Sequence, residues 1–169
     1  VRLITKHLPV AVKDGRSIAA RTNLAWACTE AGICESLSCC ISHHSMEHAL
    51  SAYFPNVPHG AGLTMLSVAY FSYLAERDPN RFPDLARAMG EKIDGLPKKQ
   101  QALAFVAGLK KLIRKVGLKE YKLSQFGVQR SDLRKLAENS FDTMGKLFEL
   151  TPIPLTVDDA TAIYERAYA

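Results

Sequence analysis

Apolar residues recur at every third or fourth position along nearly the whole chain, and no alternating run long enough for a strand interrupts them. That periodicity predicts an all-α fold, and turn residues divide it. A first amphipathic segment, 2–13, stops at Asp14-Gly15. Ser17 then caps a second helix carrying Ile18, Leu24, Ala27, Cys28 and Ala31, with Gly32 and Ile33 near its end. Residues 42–52 form a third, broken by Pro55 and Pro58. A fourth runs from Gly60 through Leu66, Tyr70 and Leu74 to Asp78-Pro79, and a short one carries Phe82, Leu85 and Met89 up to Gly90. Pro97 opens the widest apolar face, from Ala102 and Phe105 through Leu109 to Val116, so this helix is expected to be central. Ser131 is expected to cap Leu133–Met144, and Thr156 to start a last helix with Asp158 and Asp159 in its first turn. Thr151 to Leu155 carries two prolines and reads as loop. The expectation is one helical bundle of seven or eight helices spanning 1–169, with no repeat and no linker.

Composition narrows the function classes. With 47% hydrophobic and 23% charged residues the chain has the makings of a packed core rather than of disorder. Twenty-two basic against seventeen acidic residues leave a net charge of +5. The one basic concentration, Lys98 to Lys122, alternates with Ala102, Phe105, Leu109 and Leu112 as a solvated helix face does, so no nucleic-acid partner is expected. No apolar run reaches membrane-spanning length and no leader-like segment is visible, so neither a membrane partner nor export is expected. Cys28, Cys34, Cys39 and Cys40 fall within 13 residues without a metal-finger spacing, and are expected to be buried, reduced thiols in a cytoplasmic protein. The chain begins at Val1 inside a helical pattern, which leads us to expect further chain upstream.

Chemistry concentrates in 17 residues holding His43, His44, His48 and His59. His44 and His48 are four apart and project from one helix face, and His59 follows the Pro55-to-Pro58 loop at the start of the next helix. Imidazoles converging from a helix and a following loop suit a borderline divalent metal. Gly60 is expected to clear space beside His59. Glu47 is adjacent to His48 but turned roughly 100° around the helix, and no Asp stands four residues before His7, where Leu3 lies. A metal site built from these residues alone is incomplete. Phosphate-cradling glycine loops and a G-x-S-x-G elbow are absent from the sequence.

The stretch Ser42 to Phe71, SHHSMEHALSAYFPNVPHGAGLTMLSVAYF, resembles the signature of the iron-containing (group III) alcohol dehydrogenases: two histidines four apart on a helix, then a third in a Pro-His-Gly turn. The resemblance extends to Ala20–Ser36, Arg81–Gly90 and Thr151–Tyr168, nearly the whole chain. It implies the all-helical C-terminal domain of an enzyme whose N-terminal α/β domain, absent from this chain, binds NAD(P). It further implies that His44 and His59 are metal ligands and that His48 is a catalytic residue facing nicotinamide and substrate. An Asp and another His would complete the metal shell from upstream. The expected cofactors are a divalent metal, Fe2+ in preference to Zn2+, and NAD(P), with an alcohol or aldehyde as the small-molecule partner. The isolated piece would be inactive, and would expose an apolar face through which homo-oligomers can form. The alternatives are a helical binding or scaffold module without catalysis, and a polyol dehydrogenase of the same superfamily.

Overall fold

The computed structural model describes residues 1–119 and 121–168. Among these every regular element is helical. The α-helices are α1 (Arg2–Lys13), α2 (Ile18–Leu37), α3 (Ser42–Tyr53), α4 (His59–Arg77), α5 (Phe82–Ala88), α6 (Lys98–Lys115), α7 (Leu133–Met144), α8 (Lys146–Glu149) and α9 (Val157–Tyr168). Two single 3-10 turns, Leu123–Phe126 and Arg130–Asp132, lead into α7.

Several of the expected boundaries have visible causes. Ser17 Oγ accepts from the Ala20 N–H at 3.4 Å and starts α2. Thr156 and Asp159 cap α9 reciprocally: Thr156 Oγ1 accepts the Asp159 N–H at 3.2 Å, and Asp159 Oδ2 accepts the Thr156 N–H at 2.9 Å. Gly90 and Gly117 follow α5 and α6 with φ of 82° and 79°, a region only glycine enters freely. Two boundaries differ from expectation. Ser131 does not cap α7, because it lies within the 3-10 turn, where Asp132 accepts the Gln129 N–H instead. The second helix also passes through Gly32 to Leu37. One mid-helix glycine costs only about 1 kcal/mol, and Cys34-Glu35-Ser36-Leu37 offers nothing that forces a stop.

Packing groups the chain, read above as one helical domain, into two compact units. The first takes 1–38 and 75–119. There α1 packs on α2 and α5 on α6, and α1 also touches α6. Burial in its first two helices is shallow: α1 buries no residue fully, and α2 only Ala20 and Ala27. No disulfide joins the four cysteines: Cys28 and Cys34 of this unit are exposed, and of the two that fall in the other unit Cys39 is exposed and Cys40 half-buried, so the expected buried thiols are not observed.

The second unit takes 39–74 and the chain beyond 119. Here α3 packs on α7 and α8, and α7 on α9. Tyr70, Tyr164, Met46, Leu50, Leu66, Leu133, Leu136 and Ile163 are among its largest fully buried side chains. The expectation that α6 is central is therefore corrected. Its apolar face is wide, yet Leu109, Leu112, Ile113 and Val116 are only half-buried, and Ala102, Phe105, Val106 and Gly108 carry its burial. The helix with the deepest surroundings is α3, which buries seven of its twelve residues.

Candidate metal centre

The N-terminus of α3 is tied down from 109 residues away. The Ser42 N–H donates to Thr151 Oγ1 at 3.1 Å, giving a partner to one of the donors a helix start leaves open. Ser42 Oγ lies 2.8 Å from Tyr70 OH. One turn on, Ser45 Oγ donates to the Ser140 carbonyl of α7 at 2.6 Å. From α9, Tyr164 OH donates to the Met46 carbonyl. Burial, and after it the Glu47 carboxylate, pushes the Tyr164 phenol well above its ordinary pKa, so it keeps its hydrogen. Three neighbouring helices and the Thr151 loop thus hold α3 at fixed height and rotation, and with it the histidines on its outer side.

His44, His48 and His59 come together. Ring centroids are 6.3 Å apart for His44 and His48, 5.6 Å for His44 and His59, and 5.4 Å for His48 and His59. His44 is half-buried while His48 and His59 are exposed. The Nδ1 of His48 lies 2.9 Å from Met144 Sδ, a thioether that can only accept, which leaves Nε2 directed elsewhere.

His43 does not join them. It is 7% exposed, packed on Tyr70 and Phe71, and its Nε2 meets the Leu63 carbonyl at 3.1 Å. Burial, reinforced by His44, lowers its pKa to about 4, against the small opposing effect of the Leu63 hydrogen bond. It is a core histidine.

Glu47 is the residue that spacing missed. Its turn around α3 does carry it away from His48, but that direction leads under His59, and Glu47 Oε2 is bonded to His59 Nδ1. The carboxylate is fully buried, and Ser51 Oγ donates to its other oxygen at 2.6 Å. A metal-capable group of Glu47, His48 and His59 results, with one ligand atom of each within 4.8 Å of the others. The glycine that matters is correspondingly different. A Cβ on Gly60 would meet nothing within 4 Å, whereas one on Gly62 would stand 2.6 Å from Glu47 Oε1 and 2.9 Å from its Cγ. The sequence did hold a signal: Glu47 shares a face with Leu50, Ser51 and Phe54, at i+3, i+4 and i+7, which is the inward face of the helix.

Imidazole nitrogens backed by a buried carboxylate are a donor set for a borderline divalent cation. The residues present therefore fit a metal of the iron or zinc type. Among the described residues no helix is long and apolar enough to cross a membrane.

Comparison with known proteins gives the chain its relatives. Residues 1–168 match the model of the Fe-containing alcohol dehydrogenase family, C-terminal. The 1,3-propanediol dehydrogenase of Klebsiella pneumoniae is 29% identical over 168 residues, covering 99% of this chain and 42% of that protein. The alcohol dehydrogenase of Oenococcus oeni superposes with a TM-score of 0.90 at 31% identity, over 99% of this chain and 43% of that one. An archaeal halo-thermophilic alcohol dehydrogenase from a Red Sea brine pool gives 0.90 at 30% identity, covering 98% and 42%. The chain thus spans about two-fifths of the length of the relatives it matches.

Proposed function

The chain belongs to the Fe-containing alcohol dehydrogenase family, and from that premise we propose that it is the metal-holding helical part of an NAD(P)-linked dehydrogenase interconverting alcohols with aldehydes or ketones. The observation that carries this reading is the convergence of His44, His48 and His59, with ring centroids 5.4–6.3 Å apart, in a chain of the Fe-containing family.

His44 and His59 would hold the ion, one from the first turn of α3, a helix fixed at its start, and one from the first turn of α4. When bound, a divalent metal supplies a Lewis acid for the oxygen that alternates between alcohol and carbonyl. His48 is exposed beside them and has Nδ1 on Met144, so Nε2 is the nitrogen free to orient substrate and to exchange a proton with solvent. Met46, Ala49 and Leu50 of the same helix are buried, which anchors α3 in the core. The hydride carrier, NAD(P), and the remaining ligands would come from chain outside these 169 residues.

Three substitutions in the full-length enzyme test this. His44→Ala and His59→Ala should lose bound metal and turnover together. His48→Ala should keep its metal and lower turnover by roughly 10²–10⁴-fold, the usual range for a positioned proton-transfer group. If His48→Ala strips the metal as thoroughly as His59→Ala, the ion sits among Glu47, His48 and His59, and the ligand assignment fails.

A further inference from the structure

Glu47 is a carboxylate with no exposure at all, on the face of α3 that looks into the protein, and a carboxylate leaves water at high cost unless its oxygens are matched. Both are matched, and differently. Oε1 accepts from Ser51 Oγ at 2.6 Å, one turn along the same helix. Oε2 meets Nδ1 of His59, whose side chain is 51% exposed, so a buried anion reaches out to one edge of a ring that is otherwise in solvent. The backbone of α4 is moulded to this carboxylate, since any Cβ on Gly62 would fall 2.6 Å from Oε1.

We infer that Glu47 is a positioning residue for His59: it accepts the hydrogen of Nδ1, fixes the ring in the Nδ1–H tautomer, and turns the lone pair of Nε2 outward toward a divalent cation. A free neutral imidazole prefers the opposite tautomer, with hydrogen on Nε2, which has no outward lone pair. The ring also hangs on a side chain with two rotatable bonds. The Glu47 contact resolves both problems at once, and Ser51 keeps the carboxylate from rotating away. Carboxylates in this place behind a ligating histidine raise its basicity and commonly account for 10–100-fold in metal affinity. The metal half of the inference rests on His59 being a ligand, as proposed above; the tautomer does not.

The test uses the 15N-labelled chain, treated with chelator, at a pH where the rings are neutral. Two-bond 1H–15N correlations identify the tautomer of His59, and zinc titration of the same sample gives an affinity. Wild type should show Nδ1–H at His59. Glu47→Met, similar in size but without an acceptor, should return the ring to Nε2–H and weaken zinc binding at least tenfold. Glu47→Gln, whose amide oxygen can still accept, should restore the tautomer and part of the affinity. Nε2–H at His59 in the wild-type chain overturns the inference without any variant, so a Glu47→Met protein that does not fold leaves the test intact. A folded Glu47→Met chain that binds zinc within twofold of wild type overturns it too. His59→Ala separates the two claims: unchanged zinc affinity there removes His59 as a ligand, and the metal half with it, whatever the tautomer.

Discussion

Adjacent histidines in this chain have opposite fates because helix rotation puts one inside. His43 faces Tyr70 and Phe71, and its pKa is lowered to about 4, chiefly by burial, while an unfolded histidine titrates near 6.5. Between those values the unfolded chain holds a proton that the native chain does not. Above pH 6.5 neither state is protonated and the full stability is present. As pH falls from about 6.5 toward 4, stability is lost, and the 2.5-unit gap corresponds to about 3 kcal/mol. Urea unfolding of the metal-free chain across this window should show that decline, and His43→Gln should flatten much of it. An equal slope in the variant would assign the acid sensitivity to other groups. The same rotation explains what could be read at this scale. The convergence of His44, His48 and His59 was legible, because i, i+4 spacing and a short proline loop determine it. Glu47 was not, since its partner arrives from another helix whose approach depends on Gly62, and no spacing within α3 reports that distance.

Element boundaries were largely legible because their causes are local. Ser17, the Thr156–Asp159 pair, Gly90 and Gly117 act on their own neighbours within a few residues. Depth was not legible, because periodicity gives the direction of a helix face and says nothing of what lies beyond it. By pattern α6 has the widest apolar face of the chain, yet α7, seven of whose twelve residues are polar, carries Leu133 and Leu136 to 1% exposure. A loop was also underrated: Thr151, at the start of a proline-containing stretch, is buried against Ser42 and holds the start of α3. Paired truncations measure the difference in depth. Leu136→Ala should cost roughly 2–5 kcal/mol, as for a fully buried leucine leaving a cavity. Leu109→Ala, half-buried on α6, should cost about 1–2 kcal/mol, in proportion to the smaller area it removes from water. Denaturant midpoints for the two variants decide it, and the reverse order would show that α6, not the α3–α7 layer, is the structural centre.

Across the whole molecule, stability should be uneven, because apolar burial is. In the second unit, α3 packs on α7 and α7 on α9, Leu50, Leu136, Ile163 and Tyr164 of these helices are each essentially without exposure, and cross-helix hydrogen bonds from Ser45 and Tyr164 join them. In the first, α1 has no fully buried residue, and α2 presents Ile18, Trp26, Ile33 and Leu37 at 75, 56, 50 and 84% exposure. At 100° per residue those four positions fall within an arc of about 100°, one continuous stripe rather than scattered exceptions. Helices held by so few buried contacts open at low free energy, while those in a filled core exchange only on global unfolding. Amide hydrogen exchange of the chain should therefore rank α1 and α2 as the least protected helices and α3, α7 and α9 as the most, by at least a hundredfold in rate, or roughly 2.7 kcal/mol. Trp26, the single tryptophan, gives an independent reading from the middle of the stripe. A small neutral quencher should reach it in the native chain nearly as well as in the unfolded one. Slow exchange in α2 together with a shielded Trp26 would mean that the stripe is covered in solution, and the burial pattern described for the first unit would have to be revised.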